Sequence, residues 1–342
     1  MVTAYDVAAQ AGVSMGTVSR YLTGNGYVGA ASREKISAAI AELGFVPNRA
    51  AASLTTKTTG LLGFVASDLR NPFTAEVASA LGRRARELQY GLVVSESMDD
   101  PELAVEALEL LRAHGIDGLV VTPPESEVLN AAVVSAAATM PVVGIGLRTD
   151  PPVTDLVTSD TQGGAALAME HFVSLGHSHI AYVGSSTMAS GRYRGYVAAL
   201  ETNGLELDTE LVITGALNRQ LGQSAFEELM GLEDPPTAIF AANDAVALGV
   251  LQAAHSRGVS VPSELSVVGY DDVDMARHSV PPLTTVAQPM AEMGVAAIDL
   301  LVARLKQSLR GEAQQVQLPS ELIIRDSTAP SPGTQPSSEG QE

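Results

Sequence analysis

The segment Gly12–Gly24, GVSMGTVSRYLTG, carries side chains whose types and order suit contact with DNA. A glycine turn follows one helix, and a second helix opens with Ser14-Met15-Gly16-Thr17. This is the arrangement of a helix-turn-helix, whose second helix lies in a major groove. Hydroxyls and amides at that helix start suit contacts with phosphates, and Arg20 can reach a base edge or a phosphate. An ordinary two-helix hairpin has the same spacing, so the pattern alone leaves both interpretations open.

Other residues of types that can bind a metal or catalyse a reaction are better explained by structural roles. His177 and His179 in LGHSHI lack a third His or Cys, so we expect a turn before a strand rather than a metal site. The aspartate pairs at 99–100 and 271–272 diverge along the chain, whereas paired catalytic carboxylates flank one bond. The phosphate-loop pattern GxxxxGK[ST] does not occur. The sequence therefore predicts no catalytic residue, no metal and no cofactor, and a protein that is not an enzyme.

Length and composition are those of a soluble globular protein with several domains. The 342 residues allow two or three domains at about 150 residues each. Hydrophobic residues make up 46%, and no apolar run is long enough to span a membrane. The first residues lack a basic segment followed by an apolar stretch, so we expect no secretory signal. The absence of cysteine excludes disulfides and thiolate zinc sites, and we expect a cytoplasmic location.

Charge is distributed unevenly along the chain. The net charge is −19, which taken alone argues against binding nucleic acid. Residues 1–58 nevertheless carry five basic and three acidic side chains, a balance of +2. The other 284 residues carry 15 basic and 36 acidic side chains, a balance of −21. A mildly basic head on an acidic body indicates a small anion-binding module.

Sequence periodicity divides the chain into four parts. Three short helices fit the first part, residues 1–46: Thr3 and Asp6 predict a capping box for the first, while Ser14 and Ser32 are placed to cap the others. Residues 47–59 form a linker whose short helix is marginal alone. From residue 60 to 326, β-rich runs alternate with amphipathic helices, which predicts an α/β fold of two lobes with parallel sheets. The predicted strands are Leu61–Ser67, Leu92–Ser95, Gly118–Thr122, Val142–Ile145, His179–Gly184, Ala238–Ala241, Leu265–Gly269 and Thr285–Gln288. Residues 327–342 are rich in Ser, Pro and Gly and are predicted to be a disordered tail.

Two strings in the head, YDVAAQAGVSMGTVSRYLTG and SREKISAAIAELGFVPNRAAASL, closely resemble the LacI/GalR (lactose and galactose repressor) family. The resemblance continues in order through GLLGFVASDLRNPFTAEV, HFVSLGHSHIAYVG, AIFAANDAVALGVL, ELSVVGYDDVDMA and PPLTTVAQP, and covers essentially residues 2–326. It implies a dimeric repressor of a near-palindromic DNA operator. The implied architecture is a helix-turn-helix head and hinge helix, followed by a periplasmic-binding-protein-like (type I) core that holds a small-molecule effector between its lobes.

The resemblance assigns the DNA-binding residues. Positions that match phosphate contacts of the family are Tyr5, Ser14, Thr17, Ser19 and Asn48, with Arg49 beside them. Met15 and Gly16 would form the base-facing start of the recognition helix, with Arg20 further along. Leu54 matches a leucine that two hinge helices wedge into the minor groove at the operator centre, where an apolar wedge unstacks a base step. The pair at 15–16 supplies no bidentate donor, so base readout there is expected to be sparse.

The resemblance also points to an effector site at the carboxyl ends of the strands, where open α/β sheets bind ligands. Arg192 matches the family arginine that grips effector, and Phe73 can stack on a ring. Asn243 and Asp271 supply donors and acceptors for vicinal hydroxyls. Asp and Asn after a strand can instead cap the next helix, an alternative that remains open for Asn71 and Asp244. The predicted effector-binding residues are Asp68, Asn71, Phe73, Arg192, Asn243 and Asp271.

The effector class and two rival functions stay open at this level. Gly146 stands where the family often has an Asp that sugar binders use, so a sugar, a polyol or a nucleobase remains possible. One rival is the solute-binding protein of a transporter, which would have a secretory signal and no head. The other is an α/β enzyme acting in the same cleft, which would need a catalytic base. The direction of the effector response and the operator sequence are not readable.

Overall fold

The structure is a computed structural model that describes residues 2–23, 26–46, 58–122, 126–146, 153–185 and 190–332. Its contacts divide the chain into two units, Met1–Gly60 and Leu61–Glu342. The first is called the head and the second the body. No helix among the described residues is both long enough and apolar enough to cross a membrane.

The head contains three short helices around one small core. They are α1 (Ala4–Ala11), α2 (Met15–Thr23) and α3 (Ala30–Leu43). The capping box at α1 forms as predicted: the Thr3 amide donates to Asp6 Oδ2 over 2.7 Å, and the Asp6 amide donates to Thr3 Oγ1. Fully buried Val7, Val18 and Ile36 bring one residue of each helix into the core.

The predicted cap of the third helix at Ser32 is wrong. The helix begins at Ala30, with Gly29 as its N-cap, which is three residues earlier than a cap at Ser32 requires. The Gly29 carbonyl already accepts hydrogen bonds from the amides of Ser32 and Arg33, both over 3.0 Å. Buried Val28 anchors the chain just before this point. Core packing and the helix-forming pair at 30–31 therefore override the local capping signal.

The first lobe of the body is a six-stranded parallel sheet between two helical layers. The strand order is β11-β5-β4-β3-β1-β2, and every pairing is parallel. One face carries helices α4 and α12, and the other carries α5 and α6. The bounds are β1 Leu61–Ala66, α4 Pro72–Glu87, β2 Gly91–Glu96, α5 Pro101–Ala113, β3 Gly118–Val121, α6 Glu127–Ala137, β4 Val142–Ile145, β5 Asp155–Ser159, α12 Met290–Leu305 and β11 Gln315–Leu318.

The second lobe repeats this architecture. Its strand order is β12-β10-β9-β8-β6-β7, parallel except for the antiparallel β10–β12 pair. Helices α7 and α8 cover one face, and α9 and α10 cover the other. The bounds are α7 Thr161–Ser174, β6 Ile180–Gly184, α8 Gly191–Thr202, β7 Val212–Thr214, α9 Arg219–Leu229, β8 Ala238–Ala241, α10 Asp244–Arg257, β9 Ser266–Asp271, α11 Asp274–His278, β10 Thr284–Ala287 and β12 Glu321–Ile323.

Within the described residues the chain passes between the lobes three times: after β5, after β10 and after β11. Strand β5, on which the first passage depends, is missing from the sequence prediction because Asp155, Thr158 and Ser159 interrupt its apolar pattern. The structure satisfies the buried Asp155 carboxylate with two hydrogen bonds from Arg304, over 2.7 and 2.9 Å. A polar residue can thus lie inside a sheet when a specific partner reaches it.

The predicted start of the disordered tail at residue 327 is wrong. Ser327 is fully buried and its hydroxyl donates to the Val267 carbonyl over 2.6 Å. His177 Nε2 donates to the Ala329 carbonyl over 3.0 Å, so the chain remains packed on the second lobe. Hydrogen bonds to buried groups, rather than apolar content, hold this segment. Residues 333–342 lie outside the described part of the chain.

A candidate effector site and a DNA-binding head

Most of the predicted DNA-binding residues in the head lie on its exposed side. Tyr5 is 73% exposed, and Ser14, Gly16, Ser19 and Arg20 are also exposed. They come from α1 and from the start and middle of α2. Such a surface offers hydroxyls and a cation to phosphates, with a helix N-terminus that favours anions.

Two side chains of α2 have additional roles within the head. Met15 is half-buried and packs against the head core, so its side chain is only partly available to a base. Arg20 Nε donates to the Gly16 carbonyl over 3.0 Å, which folds the guanidinium back over the helix start. Ser14 Oγ accepts from the Thr17 amide over 3.2 Å and thereby caps α2. The remaining predicted contacts, Asn48, Arg49 and Leu54, lie outside the described residues.

Two glycine-containing strings have the spacing of known enzyme motifs but the wrong context. GVSMG at 12–16 fits GxSxG, and GNGYVG at 24–29 fits GxGxxG. A nucleophile elbow joins a strand to a helix, and a dinucleotide-binding loop follows a strand. Here the first string joins α1 to α2 and the second begins directly after α2. Neither string therefore indicates an enzyme.

A cavity of about 830 Å³ opens between the two lobes, at the carboxyl ends of their strands. The first lobe contributes residues that follow or end β3, β4 and β5 and one residue of β11, and the second lobe contributes the starts of α7 and α8. The described lining is mostly hydroxyls, amides and two arginines, with no aromatic side chain. The polar members are Ser126, Glu127, Asn130, Thr158, Ser159, Asp160, Thr161, Gln162, Ser190, Arg192, Arg194 and Gln317.

Arg192 combines the features of a ligand-binding cation. Its guanidinium carbon lies 4.3 Å from the centroid of the Tyr270 ring, and Nη2 donates to Asp271 Oδ1 over 3.2 Å. Its Nε is buried and has no hydrogen-bond partner among the described residues. A buried donor without a partner costs about 1–3 kcal/mol, so an acceptor that entered the cavity would relieve that cost.

Asp271 lies at the centre of a buried hydrogen-bond chain. Gln288 Nε2 donates to Asp271 Oδ1 over 2.6 Å, and Gln288 Oε1 accepts from the Ser159 hydroxyl. These three side chains are at most 8% exposed. The chain thus runs from the end of β5 in the first lobe, through the passage after β10, to Arg192 in the second lobe.

The backbone that presents Asp271 is strained and supported from outside the cavity. Asp271 has φ +115° and Asp272 has φ +58°, which lie in a region of backbone conformation that residues other than glycine rarely adopt. Arg325 Nη2 donates to Asp272 Oδ1 over 2.6 Å, and its Nη1 donates to the Leu283 carbonyl over 2.8 Å. The segment after β12 therefore braces the turn that carries the candidate ligand-binding carboxylate.

A second buried carboxylate lies close to Asp271. Burial, reinforced by the charge of Asp271, raises the pKa of Asp244 to about 8. Burial likewise raises the pKa of Asp271 to about 6, against the lowering effects of Arg192 and Gln288. Asp244 accepts from Thr285 Oγ1 and from the Val273 amide, and a Cβ on Gly269 would lie only 2.2 Å from Asp244 Oδ1. Asp244 is therefore a structural acid of the second lobe.

These two acids predict a fall in stability with rising pH. The folded chain retains protons that the unfolded chain releases near pH 4. The contribution of these acids to the free energy of unfolding is therefore fully present below that pH. It is lost as the pH rises through about 6 for Asp271 and about 8 for Asp244.

We expect the unfolding midpoint of wild type to fall between pH 7 and pH 9 and that of Asp244→Asn to fall less. Chemical denaturation at both pH values checks this. Asp234→Asn, at an exposed position, is the control. An equal fall of the unfolding midpoint with pH in all three proteins would contradict the raised pKa of Asp244.

The structure separates the predicted effector residues into two groups. It joins Arg192 and Asp271 by a hydrogen bond, and of these two only Arg192 lines the cavity, because Asp271 is buried. Asp68, Asn71, Phe73 and Asn243 do not line it within the described residues. Asp68 pairs with Arg70 over 2.9 Å, and Asn71 caps α4 through the Phe73 amide. The Asn243 amide caps α10 and donates to the Leu217 carbonyl over 3.2 Å.

Two residues of the site, Ser159 and Gln288, are missing from the sequence prediction. Ser159 ends the unrecognised strand β5, and Gln288 is the last residue of the predicted strand Thr285–Gln288, directly before Pro289. The one available signal is a polar residue at the end of each strand. Such residues also serve as helix caps and in turns, so the signal does not distinguish a binding site from these roles. No metal cluster of three or more His, Asp or Glu occurs in the part of the chain that the structure describes. His177 and His179 instead bond to Thr237 Oγ1 and the Asp234 carbonyl.

Comparison with known proteins accounts for both units. A family model described as bacterial regulatory proteins, lacI family, matches residues 3–48. The HTH-type transcriptional regulator DegA of Bacillus subtilis (strain 168) is 36% identical over 333 residues, covering 96% of this chain and 98% of its own length. The chain belongs to the lacI family. The body of this lacI-family protein also matches, over residues 169–328, a model described as periplasmic binding protein-like domain.

Two further matches agree with this assignment. The ribose operon repressor of Escherichia coli (strain K12) is 33% identical to the lacI-family protein over 330 residues, covering 96% of this chain and all of its own. A crystal structure of the lac repressor dimer bound to operator and the anti-inducer ONPF has a TM-score of 0.85 at 31% identity, covering 96% of this chain and 99% of that one. The lacI-family protein is a DNA-binding transcriptional regulator with an effector-binding domain, and the relatives named here are regulators rather than enzymes.

Proposed function

We propose that this lacI-family protein is a cytoplasmic repressor that binds a near-palindromic operator as a homodimer and is controlled by a small molecule held between the lobes of its body. The observation that carries the proposal is the half-buried cation Arg192 on the wall of the interlobe cavity. Its buried Nε has no partner among the described residues, and its Nη2 donates to buried Asp271. The exposed hydroxyls and cation of the head supply the DNA-binding side.

The cavity favours a polyhydroxylated effector, a sugar or a polyol, over a nucleobase. Recognition of a planar base relies on stacking as well as hydrogen bonds, and the described lining contains no aromatic side chain. Segments 123–125, 147–152 and 186–189, which adjoin the lining in sequence, contain no aromatic residue either. Phe73 packs against the core of the first lobe instead. Hydroxyls, amides and a guanidinium are the partners that vicinal hydroxyl groups need.

The proposed control is a shift between two states of the body. An effector changes DNA affinity only if it binds one state more tightly, and such coupling is typically about 1–3 kcal/mol. A molecule held by Arg192 in the second lobe, whose guanidinium Asp271 positions, and by hydroxyls of the first lobe binds best at one spacing of the lobes. Its binding would therefore select that spacing and change the operator affinity of the dimer.

Leu54→Ala tests the hinge part of the proposal. The proposal takes this leucine as a minor-groove wedge, the role that its match to the family's hinge leucine implies. Its loss should then weaken operator binding by about tenfold or more while the dimer stays intact. Unstacking a base step involves a few kcal/mol that the wedge contacts recover. Fluorescence anisotropy gives the operator affinity and sedimentation gives the mass. Unchanged operator affinity would remove Leu54 from the interface.

Selection from a random double-stranded DNA pool tests the function as a whole. At roughly physiological salt, non-specific phosphate binding is weak and specific sites are enriched. The proposal predicts a near-palindromic site with a fixed centre, bound by two chains. A variant that lacks the cation of the recognition helix, Arg20→Ala, is the control and should enrich the site less. An enriched asymmetric site bound by one chain, or no enrichment with or without a metabolite mixture, would contradict the proposal.

A further inference from the structure

We propose that Gln288 is a positioning residue that makes the Arg192–Asp271 pair and the placement of the two lobes depend on each other. The inference rests on the proposed effector role of Arg192 and deepens it. It adds a path from the effector-binding cation to the first lobe, carried by one side chain in a passage between the lobes.

The position of Gln288 suits this role. It follows β10 of the second lobe and precedes Pro289 and α12, which packs in the first lobe. Its side chain donates to Asp271 over 2.6 Å and accepts from the Ser159 hydroxyl at the end of β5, next to another passage. One amide therefore bonds to a side chain of each lobe.

The chemistry of the amide makes the two bonds interdependent. The oxygen and the NH2 group of an amide lie in one plane, on opposite sides of the Cγ–Cδ bond, so rotation about this bond to change one hydrogen bond breaks the other. Gln288 is 8% exposed and both partners are 3% exposed, so water cannot readily replace a lost bond. Neither a carboxylate nor an apolar side chain at position 288 could serve both partners at once.

Loss of the Arg192 guanidinium favours rotation of the Gln288 side-chain amide. Asp271 accepts from both Arg192 and Gln288 while it is ionised. Without the cation beside it, a buried carboxylate takes up a proton and becomes a donor. A protonated Asp271 bonds best to the amide oxygen of Gln288, which is the atom that Ser159 occupies. A change at Arg192 thereby reaches the first lobe, and an effector that draws the guanidinium away from Asp271 would act by the same route.

The test is a mutant cycle read as the distance between the lobes, with no effector or DNA present. The chain has no cysteine, so Glu106→Cys on α5 and Glu201→Cys on α8 place spin labels at exposed sites on the two lobes alone. Full-length labelled protein is diluted with unlabelled protein, so that most measured pairs lie within one chain. Pulsed dipolar spectroscopy then gives the interlobe distance distribution.

The cycle combines Arg192→Ala with Gln288→Met, which retains side-chain volume but makes neither hydrogen bond. We expect Arg192→Ala to shift or broaden the distribution in the Gln288 background and to have no further effect beside Gln288→Met. Ser159→Ala is the second test, because it removes the first-lobe end of the path without touching Asp271, and it should abolish the Arg192 effect equally. Gln252→Met, at an exposed position of α10, is the matched control and should leave the effect intact. Thermal unfolding of each variant identifies any that fails to fold.

An Arg192→Ala effect of the same size in the Gln288, Gln288→Met and Ser159→Ala backgrounds would overturn the proposal, because the coupling would then take another path. No effect of Arg192→Ala in the Gln288 background would overturn it as well. Neither result bears on operator selection, so failure of this inference is distinguishable from failure of the proposed function.

Discussion

Arg192→Ala should reduce effector affinity by about 100-fold or more, while the variant still binds its operator without effector. Hydrogen bonds to a charged group are worth about 1.5–3 kcal/mol each, and two of them correspond to at least about two decades in Kd. The guanidinium lines the cavity between the lobes, and its buried Nε has no partner among the described residues. The variant therefore loses the main ligand-binding cation of the body, whereas the helices of the head, which bind DNA, are unchanged.

Calorimetry with sugars and polyols gives the effector affinity, and anisotropy with a labelled operator gives the DNA affinity. Arg257→Ala removes an arginine of α10 that pairs with Glu227 and does not line the cavity, so it should behave like wild type. A normal dose response in Arg192→Ala would remove Arg192 from the effector site.

Arg304→Met should lower the free energy of unfolding of the body by about 3–5 kcal/mol, the range observed when one partner of a buried ion pair is removed. Arg304 donates twice to Asp155, and the two side chains are 16% and 2% exposed. Removing the guanidinium leaves a buried carboxylate uncompensated in β5. The same strand ends at Ser159, so the variant should also loosen the first-lobe wall of the cavity.

Chemical denaturation followed by far-UV circular dichroism measures the effect of Arg304→Met. Arg84→Met is the matched control, because Arg84 pairs with Asp299 at a more exposed site, with side chains 30% and 43% exposed. Exposed pairs contribute about 0–1 kcal/mol, so this variant should lose little. Equal losses in the two variants would show that burial of the Arg304–Asp155 pair does not set its contribution.

Sequence reasoning succeeded where local chemistry decides the structure. The capping box of Thr3 and Asp6 and the apolar strand at 238–241 form as predicted, because caps and buried apolar runs depend on neighbours in the chain. Strand β5 was missed because the partner that makes buried Asp155 acceptable, Arg304, is 149 residues away. No local pattern carries that information.

The candidate site shows the same division. Asn71 and Asn243 are residue types that serve equally as helix caps and as ligand contacts, and the structure uses both amides as caps. Arg192 and Asp271 were placed at the site by resemblance to a family, and the structure brings them within 3.2 Å. Gln288 had no local signal, because its role depends on two lobes meeting at one amide.

The central claim is that occupation of the interlobe cavity changes affinity for DNA. The measurement that tests it most directly is anisotropy of the selected operator during titration with every sugar, polyol and nucleobase that binds the protein in calorimetry. The account predicts that a polyhydroxylated compound changes operator affinity by about 5- to 150-fold, and that Arg192→Ala abolishes the change. Compounds that bind the body of wild type and leave its operator affinity unchanged would contradict it.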